Sequence, residues 1–387
     1  MQYDFDRFIE RRGTDSIKWG RYPEDVIPLW VADMDFPSPE PVIRALQHRL
    51  DHGVFGYSQP APELKRVLQE RLLDLYGWET KEEEILFVPG IVTGLNIAIQ
   101  SYTAPGDGVL VQPPVYFHFF RDPIHHERVV QDPPLVRRGD TYEVDFEKFE
   151  NAITGRTRLF ILCNPHNPVG RAFTRSELER LAEICLRHGV VICSDEIHCD
   201  LVYEGIRHIP IASLSCEAAA ATITLMAPSK TYNIAGLECG YAVIQNDELR
   251  RRWQQASSGI VPGINIMGHV AGLAAVREGQ EWLDQVLAYL QGNRDFLAGY
   301  IRANMPALQM CRMEATYLAW LDCREAGLPE NPASFFLKQA RVGLSSGPEF
   351  GRGGEGFVRL NIGCPRSTLA EALDRMKAAV ERLRFNA

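Results

Sequence analysis

Lys230 ends the segment Ala227-Pro-Ser-Lys230, directly after the apolar run Thr222-Ile-Thr-Leu-Met226. A lysine buried behind such a run has its charged form disfavoured, and the neutral amine is what imine chemistry with a carbonyl requires. A second polar cluster, Ser194-Asp-Glu-Ile-His198, also follows an apolar run, and an acid there needs a cationic or donor partner to offset desolvation. The third, Asn164-Pro-His-Asn-Pro-Val-Gly170, follows Arg158-Leu-Phe-Ile-Leu-Cys163 and, taken alone, reads as a turn. A lysine that captures an aldehyde and a carboxylate for a pyridinium nitrogen are the minimum that pyridoxal phosphate asks of a protein.

Holding those clusters together takes a scaffold. Gly108 to Gln112, Arg158 to Cys163, Val190 to Ser194, Thr222 to Met226 and Tyr241 to Ile244 read as strands. Between them lie helical patterns, among them Pro41 to His52, Glu63 to Tyr76, and a stretch opened by the capping box Thr174-Arg-Ser-Glu177 and ending near Gly189. Apolar strands alternating with amphipathic helices predict an α/β fold with a mostly parallel sheet flanked by helices. In such sheets ligands bind beyond the carboxyl ends of the strands, where the three polar clusters lie. Helices from about Asn265 to Asn304 lead to a region with strands at Tyr317 to Leu321 and Phe357 to Ile362 and a closing helix, Leu369 to Leu383, which predicts a smaller α+β domain.

The 387-residue chain is 45% hydrophobic and 24% charged, which excludes disorder, collagen-like repeats and coiled coil. At roughly 150 residues per domain its length suits two or three domains. With 41 Lys+Arg against 50 Asp+Glu the net charge is −9 and no basic block stands out, so neither nucleic acid nor an anionic membrane is an expected partner. Nine scattered cysteines without a CxxC pair indicate a reducing compartment, with the thiols serving as packing residues. The charged first twelve residues lack a signal-peptide pattern, and the longest apolar run, Ala218 to Pro228, is too short to cross a bilayer. A cytoplasmic location is therefore expected.

The same clusters, with Leu29 to Phe36, Phe55-Gly-Tyr57, Val88 to Thr93, Gln112 to Tyr116 and Val358-Arg-Leu-Asn361, resemble the fold-type I pyridoxal-phosphate enzymes of the class I/II aminotransferase family, and most of all their cystathionine β-lyase (C–S lyase) branch. The resemblance spans essentially the whole chain. It implies a large cofactor-binding domain over 46–285 and a small domain from both chain ends, 1–45 and 286–387. It makes Lys230 the imine-forming lysine and general base, Asp195 the partner of the pyridine nitrogen, Tyr116 a stacking ring and Asn167 a donor to the ring hydroxyl oxygen. Val92, Thr93 and Ser229 would meet the phosphate, with Tyr57 supplied by the neighbouring subunit of a homodimer. Arg359 would grip the substrate carboxylate, with Ala32, Asn167 and Tyr116 also at the substrate and His198 near the cofactor. The implied reaction is β-elimination from L-cystathionine or a related L-cysteine conjugate.

Two departures from the family pattern matter. Ala227 stands where many relatives have Ser or Thr, and Leu237 and Glu238 occupy the positions of a phosphate-binding arginine. The missing arginine favours the lyase branch over ordinary transamination, with an aminotransferase as the alternative and a non-catalytic regulator after it. Gly351-Arg-Gly-Gly-Glu-Gly356 satisfies GxGxxG but precedes a strand, so it reads as a flexible loop rather than a dinucleotide site. Cys193, His198, Cys199 and His208 lack paired ligand spacing, and no metal is expected.

Overall fold

The computed structural model describes residues 1–386. Its large sheet has seven strands: β1 (Ile85–Pro89), β2 (Gly108–Leu110), β3 (Val129–Gln131), β4 (Thr157–Cys163), β5 (Val191–Asp195), β6 (Thr222–Met226) and β7 (Cys239–Val243), in the order β1-β7-β6-β5-β4-β2-β3. Every neighbouring pair is parallel except those made by β7, which runs antiparallel to both β1 and β6. The central strands are buried nearly end to end, which is why they read as continuous apolar runs. Strands β1 and β3 are additional to the expected set.

Helices cover both faces. They include α1 (Glu40–His52), α2 (Pro62–Tyr76), α3 (Ile91–Tyr102), α4 (His118–His125), α5 (Arg175–Arg187), α6 (Pro228–Thr231), α7 (Asp247–Ser257), α8 (Ile266–Glu278), α9 (Gln280–Asn304) and α10 (Arg366–Asn386). The capping box of α5 forms as expected, with Thr174 and Glu177 satisfying each other's backbone amides. Helix α3 presses closely on the sheet: a Cβ on Gly94 would come within 3.0 Å of Leu225.

A four-stranded antiparallel sheet follows, built from β8 (Gln309–Met310), β9 (Leu318–Asp322), β10 (Ser345–Ser346) and β11 (Phe357–Asn361) in the order β8-β9-β11-β10. Arg359 sits mid-strand on β11, opposite Trp320 and Ser345. The amino-terminal segment joins this sheet to the large one. Asn361 donates to the carbonyls of Val31 (2.7 Å) and Asp33 (2.6 Å), while Asn233 donates to those of Met34 (2.9 Å) and Phe36 (2.8 Å). Helix α9 is continuous across residue 285, so the expected domain boundary falls inside a helix, not in a linker.

The glycine-rich stretch 351–356 precedes β11 as expected, with Arg352, Gly353 and Glu355 exposed and a close-packed point at Gly354. A Cβ on Gly354 would stand 2.0 Å from the carbonyl oxygen of Gly347, so only glycine permits the approach of the two backbones.

Candidate active site

Strands β4, β5 and β6 end side by side, with Cys163 paired to Asp195 and Asp195 to Leu225 across the ladder. Their carboxyl ends open into a cavity of about 450 Å³ between the two sheets. It gathers Ala32, Val92, Thr93, Tyr116, Asn167, Asp195, His198, Ser229, Lys230 and Arg359, residues scattered over more than three hundred positions of sequence. Of the expected site residues only Tyr57 lies outside. It stands fully exposed on the segment before α2.

Lys230 projects from the one-turn helix α6, and its Nζ donates to the Ala32 carbonyl at 2.6 Å. The Tyr317 hydroxyl donates to the same oxygen at 3.0 Å. Burial lowers the Lys230 pKa to about 8, against the opposing pull of Asp33, so the amine loses its proton far more readily than a free lysine does. The Asp195 side chain has one hydrogen-bond partner among the described residues, the Ile197 amide at 3.1 Å. Burial raises its pKa to about 7. His198 is pushed down to about 3, by burial first and then by Lys230 and Arg359, and stays neutral with its Nδ1 unpartnered.

Arg359 reaches the cavity from the small sheet. Its guanidinium donates to Asn167 Oδ1 (2.9 Å) and the Trp30 carbonyl (2.8 Å), while its Nε has no partner. Burial lowers its pKa to about 10, within the range in which it keeps its charge. Asn167 is held in turn by its amide, which donates to Cys163 Sγ at 3.4 Å. Tyr116 flanks the cavity with its hydroxyl pKa pushed up to about 12 by burial.

These features fit pyridoxal phosphate. Asp195 lies buried without a cation, as a partner for a pyridinium nitrogen would. Gly90, at φ 88°, caps the twelve-residue helix α3, leaving the first-turn amides of Val92 and Thr93 free for a phosphate. At the position where the family pattern has an arginine, Glu238 lines the cavity rim, and the groups there that could meet a phosphate are these amides and the Ser229 hydroxyl. Sequence reasoning missed Trp30, Cys163, Ser345 and Tyr317. Trp30 and Cys163 lie inside or beside quoted motifs, whereas nothing local marks Ser345 or Tyr317. Cys163 also corrects the view of all nine cysteines as packing alone, since it lines the cavity and supports Asn167.

Comparison with known proteins agrees with this geometry. The family model for aminotransferase class I and II matches residues 24–376. Cystathionine beta-lyase PatB of Bacillus subtilis is 42% identical over 97% of this chain and 100% of its own. Protein MalY of Escherichia coli is 31% identical over 99% and 100%. Among solved structures, cystalysin from Treponema denticola, which contains a pyridoxal 5'-phosphate cofactor, superposes with a TM-score of 0.96 at 32% identity, covering 99% of this chain and 100% of its own.

Proposed function

The chain belongs to the class I and II aminotransferase family, and on that premise we propose that it is a pyridoxal-phosphate-dependent carbon–sulfur β-lyase. It cleaves L-cystathionine or related L-cysteine conjugates to a thiol, pyruvate and ammonia. The observation that carries this reading is the convergence of Lys230, unpaired Asp195 and Arg359 on one cavity in a chain similar throughout to cystathionine β-lyases.

Bound pyridoxal phosphate supplies an aldehyde that captures amino groups and a ring that accepts the electron pair left on Cα. Asp195 would hold the proton on the ring nitrogen, and Tyr116 would pack against the ring face. The amides of Val92 and Thr93 and the Ser229 hydroxyl would hold the phosphate. Arg359 binds the substrate α-carboxylate by a charge-assisted fork, with Asn167 fixing the plane of its guanidinium. Lys230, whose neutral fraction burial enlarges, takes the Cα proton; the β-carbon–sulfur bond breaks, and the same ammonium can return a proton to the departing thiolate. The remaining three-carbon fragment hydrolyses to pyruvate and ammonia.

A homodimer completes the site in this reading, with Tyr57 reaching the partner's phosphate. Its support is the full exposure of Tyr57 beside exposed Val54 and Phe55. We place the cofactor-binding unit at 46–285 and the small unit at 1–45 with 286–387, because each holds one of the two larger sheets. All nine cysteines are unpaired, which favours the cytoplasm. Among the described residues no helix is long and apolar enough to cross a membrane.

Incubation with L-cystathionine, with pyruvate and free thiol assayed together, tests the reaction. Stoichiometric release of both is expected. Exchange of amino groups with a keto acid and no pyruvate would overturn it in favour of an aminotransferase.

A further inference from the structure

Lys230 rides on a helix of four residues, and a single turn is too short to be stable by its own hydrogen bonds. Something outside the turn has to hold it. Past the ladder between β5 and β6, the segments carrying Asp195 and Lys230 diverge. Among the described residues one side-chain hydrogen bond joins them again: the hydroxyl of Thr231, next to the lysine, donates to Asp200 Oδ2 at 3.0 Å. Thr231 is completely buried.

The other oxygen of Asp200 is held by Arg71 Nη2 at 2.6 Å, from helix α2. Both side chains are largely shielded, at 16% and 10% exposure, and Asp200 drives the Arg71 pKa upward. The carboxylate is therefore pinned from one side by a guanidinium and presents its free oxygen to Thr231. A void of about 20 Å³ lies beneath, lined by Arg71, Asp200 and Tyr232, whose buried hydroxyl has no partner.

We propose that Asp200, clamped by Arg71, is a positioning residue that acts through Thr231 to fix the lysine-bearing turn relative to Asp195. The inference rests on the lyase reading for its consequence in turnover, but the clamp itself concerns only where Lys230 Nζ stands relative to the cofactor. Lys230 has to reach both the aldehyde carbon and the Cα proton, and a misplacement of about 1 Å costs on the order of a hundredfold in rate.

Thr231→Val keeps the shape and removes the donor, Thr231→Ser keeps the donor, and Thr231→Ala guards against a packing artefact of the valine. With the holoenzyme, kcat for pyruvate release is expected to fall about 10- to 100-fold in the Val and Ala variants with KM within about twofold, while Thr231→Ser stays within about twofold of wild type. A second readout uses the folded apoprotein: pyridoxal phosphate is added and the rate at which borohydride fixes it to the Lys230 peptide is followed by mass spectrometry. That rate is expected to fall in parallel in the Val and Ala variants. Unchanged kcat and fixation rate, with only the melting temperature lowered, would overturn the proposal and leave the bond a structural one. Equal losses in the Ser and Val variants would also overturn it. If wild-type protein fixes pyridoxal phosphate on Lys230 yet releases no pyruvate from any conjugate, the lyase reading fails, and the fixation rates still decide the role of the Thr231–Asp200 bond.

Discussion

Two lysine–aspartate sets adjoin the Val31–Phe36 segment, and they are wired in opposite ways. Near the amino terminus Lys18, wholly buried, pairs with Asp35 at 2.7 Å, and Asp35 also accepts from Arg11 (2.6 Å) and the Trp19 indole (2.8 Å). Every charge there has a counter-charge in a fixed geometry, which ties the amino-terminal strap down. In the cavity, among the described residues, the Lys230 side chain finds only a backbone carbonyl and that of Asp195 only a backbone amide. Burial without pairing drives their pKa values toward each other, to about 8 and about 7. A satisfied buried pair fixes a structure, whereas an unsatisfied one keeps its interaction energy for a ligand.

The comparison is sharpest at the lysines. Lys230→Ala should lower kcat by about a thousandfold or more and abolish fixation of pyridoxal phosphate at that position, measured by turnover and peptide mass. Retained fixation would show that another lysine carries the chemistry. Asp35→Asn should instead leave turnover per folded molecule intact and cost about 3–5 kcal/mol of stability in urea unfolding, because Lys18 is left buried with its main partner neutralised.

Asp195→Asn should move stability the other way in the cofactor-free protein. The folded pKa of Asp195 is raised from 3.8 to about 7, so its favourable contribution is complete below about pH 4 and is lost as pH climbs to 7. Removing the charge should therefore stabilise the apoprotein at pH 8, by a few kcal/mol at most, and flatten its stability between pH 4 and 7. If Asp195→Asn destabilises the apoprotein at pH 8 as Asp35→Asn does, the contrast between the two sets collapses.

That contrast was only half legible in the chain. The ends of β4, β5 and β6 could be placed because fully buried strands leave uninterrupted apolar runs, and a polar residue at the end of such a run stands out. The direction of β7 could not, since a buried strand reads the same parallel or antiparallel. Edge strand β3, half-exposed and three residues long, leaves no pattern. The partners that decide each charge were hidden for another reason. Arg71 and Asp200 lie 129 positions apart, and Arg359 and Asn167 lie 192 apart, so only the folded chain brings them together.

Smaller effects probe where the cavity expects its ligands. Arg359→Ala removes the cation aimed at the substrate carboxylate and should raise KM for a cysteine conjugate about 10- to 100-fold with a lesser change in kcat, as loss of a charge-assisted hydrogen bond predicts. An unchanged KM would take Arg359 out of the carboxylate site.

Tyr57→Phe should have the smallest consequence and the most specific condition. Within one subunit Tyr57 lies outside the cavity, fully exposed, so its loss cannot touch the cofactor of its own chain. If its hydroxyl meets the partner's phosphate, removing one hydrogen bond should weaken pyridoxal phosphate binding about three- to tenfold. The effect should be present at protein concentrations where the dimer persists and vanish on dilution below its dissociation constant, where wild type falls to the affinity of the variant. Equilibrium titration of apoprotein with pyridoxal phosphate at two protein concentrations reads both effects. Equal affinities of wild type and Tyr57→Phe in the dimer would show that the phosphate end is closed by one chain alone, through the α3 amides and Ser229.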